Sequence, residues 1–181
     1  MIELFKNKLI GNQLINKRLD KDRKHHNKFP LNDAKSIGLI FYIKDSEQLR
    51  STLNESKIVD KIFPKGVKNI EFIFITEEKK IEFDVPFGYK IIPLSKVNWN
   101  KKNPESNIEN FIKKEFDYLF SFTYGVSKIL DQLVSQSYAI CRVALGEHQD
   151  VDSHEMKLTY DQVSFTERIR EAVDILHRMH K

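Results

Sequence analysis

The sequence predicts an α/β protein: a three-layer, Rossmann-like fold with a mainly parallel sheet of five or six strands, helices on both faces, and a basic N-terminal helix ahead of it. Two observations carry this. Residues 36–43 and 118–123 are near-continuous apolar runs, as expected of strands buried on both faces in a parallel sheet. From Phe116 to Leu145 an apolar strand, a turn with Gly125, an amphipathic run to Gln136 and a second apolar strand follow in order, which makes one parallel unit. With right-handed crossovers, the expected strand order is 3-2-1-4-5-6.

Residues 2–24 place Ile2, Phe5, Leu9, Ile10, Leu14, Ile15 and Leu19 at a drifting helical spacing. Lys17, Arg18, Lys21, Arg23 and Lys24 gather toward the end of this helix, where cations also suit the helix dipole. Phe29-Pro30 closes it, and residues 27–34 read as a linker. The chain thus divides into a basic N-terminal helix and linker, residues 1–30, and a single Rossmann-like domain, residues 31–181. After the first strand, Asp45 or Ser46 caps a helix running through Leu49 and Leu53 toward Val59. Pro64-Lys65-Gly66 turns into a second strand at 69–76, and a charged surface excursion at 77–82 precedes a short third strand at 89–93. Ser106 opens a helix on Ile108, Phe111 and Ile112. The fourth strand, 118–123, leads to a helix at 126–136 carrying Ile129, Leu130, Leu133 and Val134, then to a fifth strand at 139–145. A polar loop, 146–155, precedes a candidate sixth strand at 156–160. The closing helix, 164–179, repeats Phe165, Ile169, Val173 and Leu176, and Ser164 with Glu167 has the form of a capping box.

At 181 residues, 40% hydrophobic and 31% charged, the chain is sized for one soluble domain with a full core. No apolar run approaches the roughly 20 residues of a membrane-spanning helix, and Lys6, Lys8 and Asn12 interrupt any signal-peptide core. The one cysteine, Cys141, has no internal disulfide partner, so a reducing cytoplasm is the expected compartment. Residues 1–35 hold nine Lys/Arg against four Asp/Glu, so the net charge of +4 describes a basic appendage on a near-neutral body.

In a doubly wound sheet, ligands sit beyond the strand C-termini where the strand order reverses. That rule sets Lys44, Asp45 and Ser46 opposite Thr123, Tyr124, Gly125 and Ser127, and the candidate ligand-binding residues are Lys44, Asp45, Ser46, Thr123, Tyr124 and Ser127. Residues 44–48 contain no glycine, and neither a Gly-x-Gly nor a phosphate-loop pattern occurs anywhere. The usual dinucleotide cradle is therefore excluded and no cofactor is expected. Tyr124-Gly125-Val126-Ser127-Lys128 has the Tyr-x-x-x-Lys spacing of short-chain dehydrogenases, but the tyrosine precedes the helix and the glycine-rich loop is missing. It reads as a strand-to-helix turn, and no catalytic residue is assigned.

His148, Asp150, Asp152 and His154 alternate, so an extended segment would present all four on one face. Such nitrogen and oxygen ligands suit a divalent ion. One loop rarely supplies a closed site, so a solvated loop is expected and no metal is assigned. His25-His26 reads as surface charge tuned by pH. Cys141 reads as a structural thiol, because reactive thiolates want electropositive, open surroundings. Arg142, in a core strand, must be paired, and Asp117 is the candidate partner.

These segments together resemble a family of unknown function from Bacteroidota. The resemblance covers nearly the whole chain: the basic N-terminal helix, Ser36-Ile37-Gly38-Leu39-Ile40-Phe41, Phe116-Asp117-Tyr118-Leu119-Phe120, the stretch from Leu133 to Ser137, Ala139 and Arg142-Val143. It implies a fold rather than an activity. The Phe116-Asp117 strand and the Ala139-x-x-Arg142-Val143 strand are also similar to the N-terminal Rossmann-like half of heptosyltransferase-type glycosyltransferases. The donor-binding half of those enzymes has no counterpart, so no catalytic residue carries over.

Three roles suit the basic segment: its apolar stripe docked on the body with the lysines in water, contact with RNA phosphates, or an anionic membrane surface. The lack of tryptophan at its apolar edge and the clustering of charge at one end argue against the membrane. The expected function is a non-catalytic cytoplasmic binding protein. It would contact RNA or a protein partner, and the ribosome would satisfy both, through Lys17, Arg18, Lys21, Arg23 and Lys24. The alternative is a small enzyme or sensor taking a phosphorylated or sugar ligand at the strand C-terminal crevice.

Overall fold

The structure, a computed structural model, describes residues 30–85, 88–97, 106–147, 153–159 and 164–179. The basic N-terminal helix expected from the sequence, with Lys17, Arg18, Lys21, Arg23, Lys24 and His25-His26, lies outside the described residues. Six strands form one sheet: β1 (Ser36–Ile43), β2 (Asn69–Thr76), β3 (Lys90–Pro93), β4 (Tyr118–Thr123), β5 (Cys141–Leu145) and β6 (Met156–Leu158). Their order is β3-β2-β1-β4-β5-β6, as expected. Every neighbouring pair is parallel, so the sheet is parallel throughout. The helices are α1 (Ser46–Ser56), α2 (Ser106–Ile112), α3 (Lys128–Ser135) and α4 (Phe165–Met179).

Side chains alternate along a strand, so an apolar run buried on both faces feeds two cores. Ile37, Leu39, Phe41 and Ile43 of β1 pack with Phe74, Phe120 and Phe122 beneath α1 and α4, which contribute Leu49, Leu53, Phe165 and Ile169. Ile40, Tyr42, Ile73, Ile75 and Leu119 face the other way, against Ile108 and Phe111 of α2 and Leu130, Leu133 and Val134 of α3. Gly38 interrupts the β1 run for a steric reason: a β-carbon there would stand 2.8 Å from the Phe116 ring. No helix among the described residues is long and apolar enough to cross a membrane.

Helix ends differ from the sequence expectation by a few residues. The helix expected to reach Val59 stops at Ser56, and a 3-10 turn covers Val59–Lys61. Helix α3 begins at Lys128 because Ser127 is extended and its Oγ accepts the Leu130 N–H at 3.2 Å, leaving Val126 outside. The capping box of α4 is present: Ser164 N–H donates to Glu167 Oε2 (2.9 Å) and Glu167 N–H to Ser164 Oγ (3.2 Å). These bonds from Ser164 hold the Glu167 carboxyl below its ordinary range.

Asp117 is not the partner of Arg142. Its Oδ2 accepts from Lys35 N–H (2.7 Å), Ser36 N–H (2.9 Å) and Ser36 Oγ (3.1 Å), tying the start of β4 to the start of β1. Arg142, 3% exposed in its side chain, turns to Glu155, which directly precedes β6. Its Nε donates at 3.1 and 3.0 Å to the two carboxylate oxygens and its Nη2 at 2.5 Å to Oε1. The backbones pair as well, Glu155 N–H to Arg142 carbonyl at 3.0 Å. Parallel pairing of β5 with β6 therefore supplies Glu155 in place of the Asp117 expected from the sequence.

Candidate functional site

The reversal of strand order falls between β1 and β4, and the turns following these strands meet there. Lys44 leaves the end of β1, and a β-carbon on Gly125 would stand 3.8 Å from Lys44 Nζ. The ammonium thus spans the junction to the β4–α3 turn. Thr123, 2% exposed, shapes that turn: its Oγ1 accepts Gly125 N–H at 3.2 Å and donates to the Gly125 carbonyl. Ser127 is 5% exposed and committed to capping α3. Tyr124 stacks edge-on against Phe122, ring centroids 4.9 Å apart, with its hydroxyl 3.1 Å from Thr52 Oγ1. Burial raises the Tyr124 phenol, opposite to the lowering that a Tyr-x-x-x-Lys proton donor needs.

The N-terminus of α1 is where a phosphate would be expected to sit in this fold. Here the chain fills it with its own carboxylates. Asp45 is the N-cap, its Oδ1 accepting Gln48 N–H at 2.8 Å. Glu78, from the loop after β2, accepts Ser46 N–H at 3.2 Å. Glu77 beside it accepts the Tyr42 hydroxyl at 2.5 Å, and burial followed by that bond pushes the Tyr42 phenol up to about 12. A phosphate approaching this corner meets negative charge and two amides already engaged. The predicted set Lys44, Asp45, Ser46, Thr123, Tyr124 and Ser127 is thus brought to one end of the sheet, but several of its members serve the fold.

Gly146, directly after β5, closes the crevice on the far side. Its φ is +130°, and a β-carbon would stand 2.7 Å from the Thr123 carbonyl oxygen and 3.2 Å from Arg168 Nη1. Arg168 lies over the Phe122 ring, 5.1 Å from its centroid. Gly146→Ala combines an unfavourable backbone conformation with overlap against main chain, for a loss of at least about 2 kcal/mol. The urea midpoint measures it. A loss below about 0.5 kcal/mol would contradict the close approach.

A cavity of about 770 Å³ opens to the side, over the ends of β1 and β2. Ser46, Arg50, Glu77, Glu78, Lys79 and Phe83 are among its walls, and Arg50 lies 5.2 Å over the Phe83 ring. Of the six predicted residues only Ser46 lines it. The stretch 77–82, read from the sequence as a surface excursion, therefore supplies one wall of this cavity.

The alternating His/Asp loop divides. His148, Asp150 and Asp152 lie outside the described residues. His154 is 8% exposed, its Nε2 and Nδ1 each 2.6 Å from a serine hydroxyl, those of Ser121 and Ser153. Glu155 belongs to Arg142. No group of three or more metal-ligating side chains occurs among the described residues. Cys141 is half-buried, and burial, followed by the Glu155 charge, pushes its thiol up to about 12. That is the behaviour of a structural thiol.

A family model, described as a family of unknown function (DUF6913), matches residues 6–178. No curated protein and no solved structure matches the chain.

Proposed function

Since the chain belongs to the DUF6913 family of unknown function, we propose its role from its own chemistry: a non-catalytic, cytoplasmic binding protein that contacts RNA through Lys17, Arg18, Lys21, Arg23 and Lys24. The observation that carries this is the charge asymmetry, nine Lys/Arg against four Asp/Glu in residues 1–35. The family match begins at residue 6 and so covers the basic segment as well as the sheet. The crevice supports a non-catalytic reading, because the helix amides suited to a phosphate are held by Asp45 and Glu78. A ribosomal surface would offer RNA and protein to the same segment. Each cation that neutralises a phosphate releases a counterion and steepens the salt dependence, by about 0.7 for single strands and about 0.9 for duplexes.

Changing all five cations to Glu should therefore weaken binding to an RNA oligonucleotide by at least about 100-fold, and flatten the log–log salt slope by roughly 3.5–4.5. Fluorescence anisotropy between about 50 and about 200 mM salt reads both. An unchanged slope overturns the proposal.

The second reading, a small enzyme or sensor for a sugar or phosphorylated ligand, draws on two observations. Lys44 has no hydrogen bond or ion pair among the described residues. Gln48 Oε1 is buried without a hydrogen-bond partner, on the α1 turn that precedes Thr52. A buried acceptor of this kind is costly unless something donates to it, and a sugar hydroxyl can. The Asp45 and Glu78 carboxylates favour neutral sugars over phosphates at that corner, and the likeness to heptosyltransferase halves belongs to this reading. At about 100 times its Kd a ligand stabilises the fold by roughly 2.7 kcal/mol. A neutral sugar should then raise Tm more than its phosphate, and Lys44→Ala should reduce the shift. Ser127→Ala is a poor probe, because uncapping α3 alone costs about 1 kcal/mol. A panel of sugars, sugar phosphates and nucleotides without any shift ends this reading.

A further inference from the structure

The cavity over the ends of β1 and β2 holds charges of both signs that do not pair with each other. Arg50 of α1 lies 5.2 Å over the Phe83 ring, and that ring packs in turn against the core beneath α1 and α4. The guanidinium is thus pinned on an aromatic face, yet it makes no hydrogen bond or ion pair among the described residues. Its acidic neighbours are held by other groups. Glu77 Oε1 accepts the Tyr42 hydroxyl at 2.5 Å, and Glu78 Oε1 accepts the Ser46 N–H at 3.2 Å. The second oxygen of each carboxylate takes no hydrogen bond among the described residues.

A surface cluster of this composition ordinarily closes on itself, the guanidinium gripping a carboxylate through two parallel bonds. Here a phenol and a backbone amide fix the anions, a ring fixes the cation, and open space separates them. Lys79, Lys80 and Glu82 complete the walls, so three cations stand against three carboxylates and the cavity is close to neutral. A simple anion entering it meets the carboxylates, and a simple cation meets Arg50 and the lysines. A molecule carrying one charge of each sign, set apart, satisfies both. The volume of about 770 Å³ lies within the range of roughly 300–1,000 Å³ usual for small-molecule sites.

We propose that this cavity binds a zwitterion with a free ammonium and a free carboxylate, the chemistry shared by free amino acids and by short peptides with both termini uncapped. The open oxygens of Glu77 and Glu78 take the ammonium, and the forked N–H donors of Arg50 take the carboxylate. The site draws on neither RNA nor a sugar, so it stands apart from both readings above.

The test follows thermal unfolding of the full chain in two arms, the common L-amino acids and the dipeptides Gly-Gly and Ala-Ala. A member of one arm should raise Tm with increasing concentration, and the arm with the larger shift names the source. The N-acetyl and amide derivatives of that compound each lack one charge and should bind at least about tenfold more weakly. Arg50→Gln, at an exposed position, leaves the core intact and should weaken binding by at least about tenfold as well. No shift in either arm, equal shifts from the blocked derivatives, or unchanged binding by Arg50→Gln overturns the proposal. So does a neutral sugar whose shift Arg50→Gln abolishes, which assigns the cavity to that ligand instead. If amino acids and dipeptides are silent while a sugar responds to Lys44→Ala, this proposal fails and the sugar reading stands.

Discussion

Glu155→Gln is expected to destabilise the protein by about 3–5 kcal/mol, the range for removing one partner of a buried ion pair. Arg142 sits on β5 with 3% of its side chain exposed and cannot turn to water when its partner goes. The carboxylate does three things at once: it accepts Nε, it accepts Nη2, and it accepts the Arg142 backbone N–H at 2.6 Å. Gln keeps the shape but offers one oxygen and no charge, leaving a buried, uncompensated guanidinium with that one amide oxygen and the Ser135 carbonyl at 3.5 Å. The double variant Arg142→Met, Glu155→Gln removes the stranded charge and should recover much of the loss. Urea unfolding of the two single variants and the double gives the coupling. A Glu155→Gln loss under about 1 kcal/mol would mean that the pair is solvated and the β5–β6 connection is not held as described.

The strands were legible because burial on both faces leaves a continuous apolar run that loops do not imitate. Residues 69–76 and 118–123 have the bounds expected of them, and Gly38 did not disguise β1 because its neighbours Ile37 and Leu39 are unmistakable. Helix ends were less legible, since Val126 extends the apolar pattern of α3 while the cap at Ser127 decides where the hydrogen bonds begin. Long-range polar pairing was the weakest signal. Asp117 and Glu155 both suit Arg142 by charge, and only the β5–β6 register selects Glu155.

For the candidate site, the strand order alone carried Lys44, Asp45, Ser46, Thr123, Tyr124 and Ser127 to one end of the sheet. What each side chain does there depended on neighbours distant in sequence. Glu78 at the start of α1 is the clearest example: 32 residues separate it from Ser46, and a charged stretch after a strand looks like solvated surface until β2 is laid beside β1. Acidic residues immediately after β2 were the available clue, because that strand ends beside the amide end of α1. The same geometry makes the corner suited to a phosphate an anionic one, and a cavity opens there toward β2.

Phe41→Ala should cost a similar amount, about 3–5 kcal/mol, by leaving a cavity at the centre of the sheet. Phe41 lies on the central strand facing α1 and α4 and is fully buried. Its ring stacks on Phe74 with centroids 4.4 Å apart and meets Phe165 edge-on at 4.8 Å and Phe122 at 5.8 Å. Three elements, β2, β4 and α4, therefore lose contact through one substitution, and parallel β strands cannot close the gap without breaking the ladder on either side. Phe41→Leu fills most of the volume and loses the ring contacts, worth about 0.5–1.5 kcal/mol for each aromatic pair. It should fall between wild type and Ala. Because Phe165 of α4 meets the Phe41 ring, the Ala variant should raise amide exchange in α4 more than in α3, which packs on the opposite face. Equal exchange in the two helices would show that the two apolar layers act as one cooperative core.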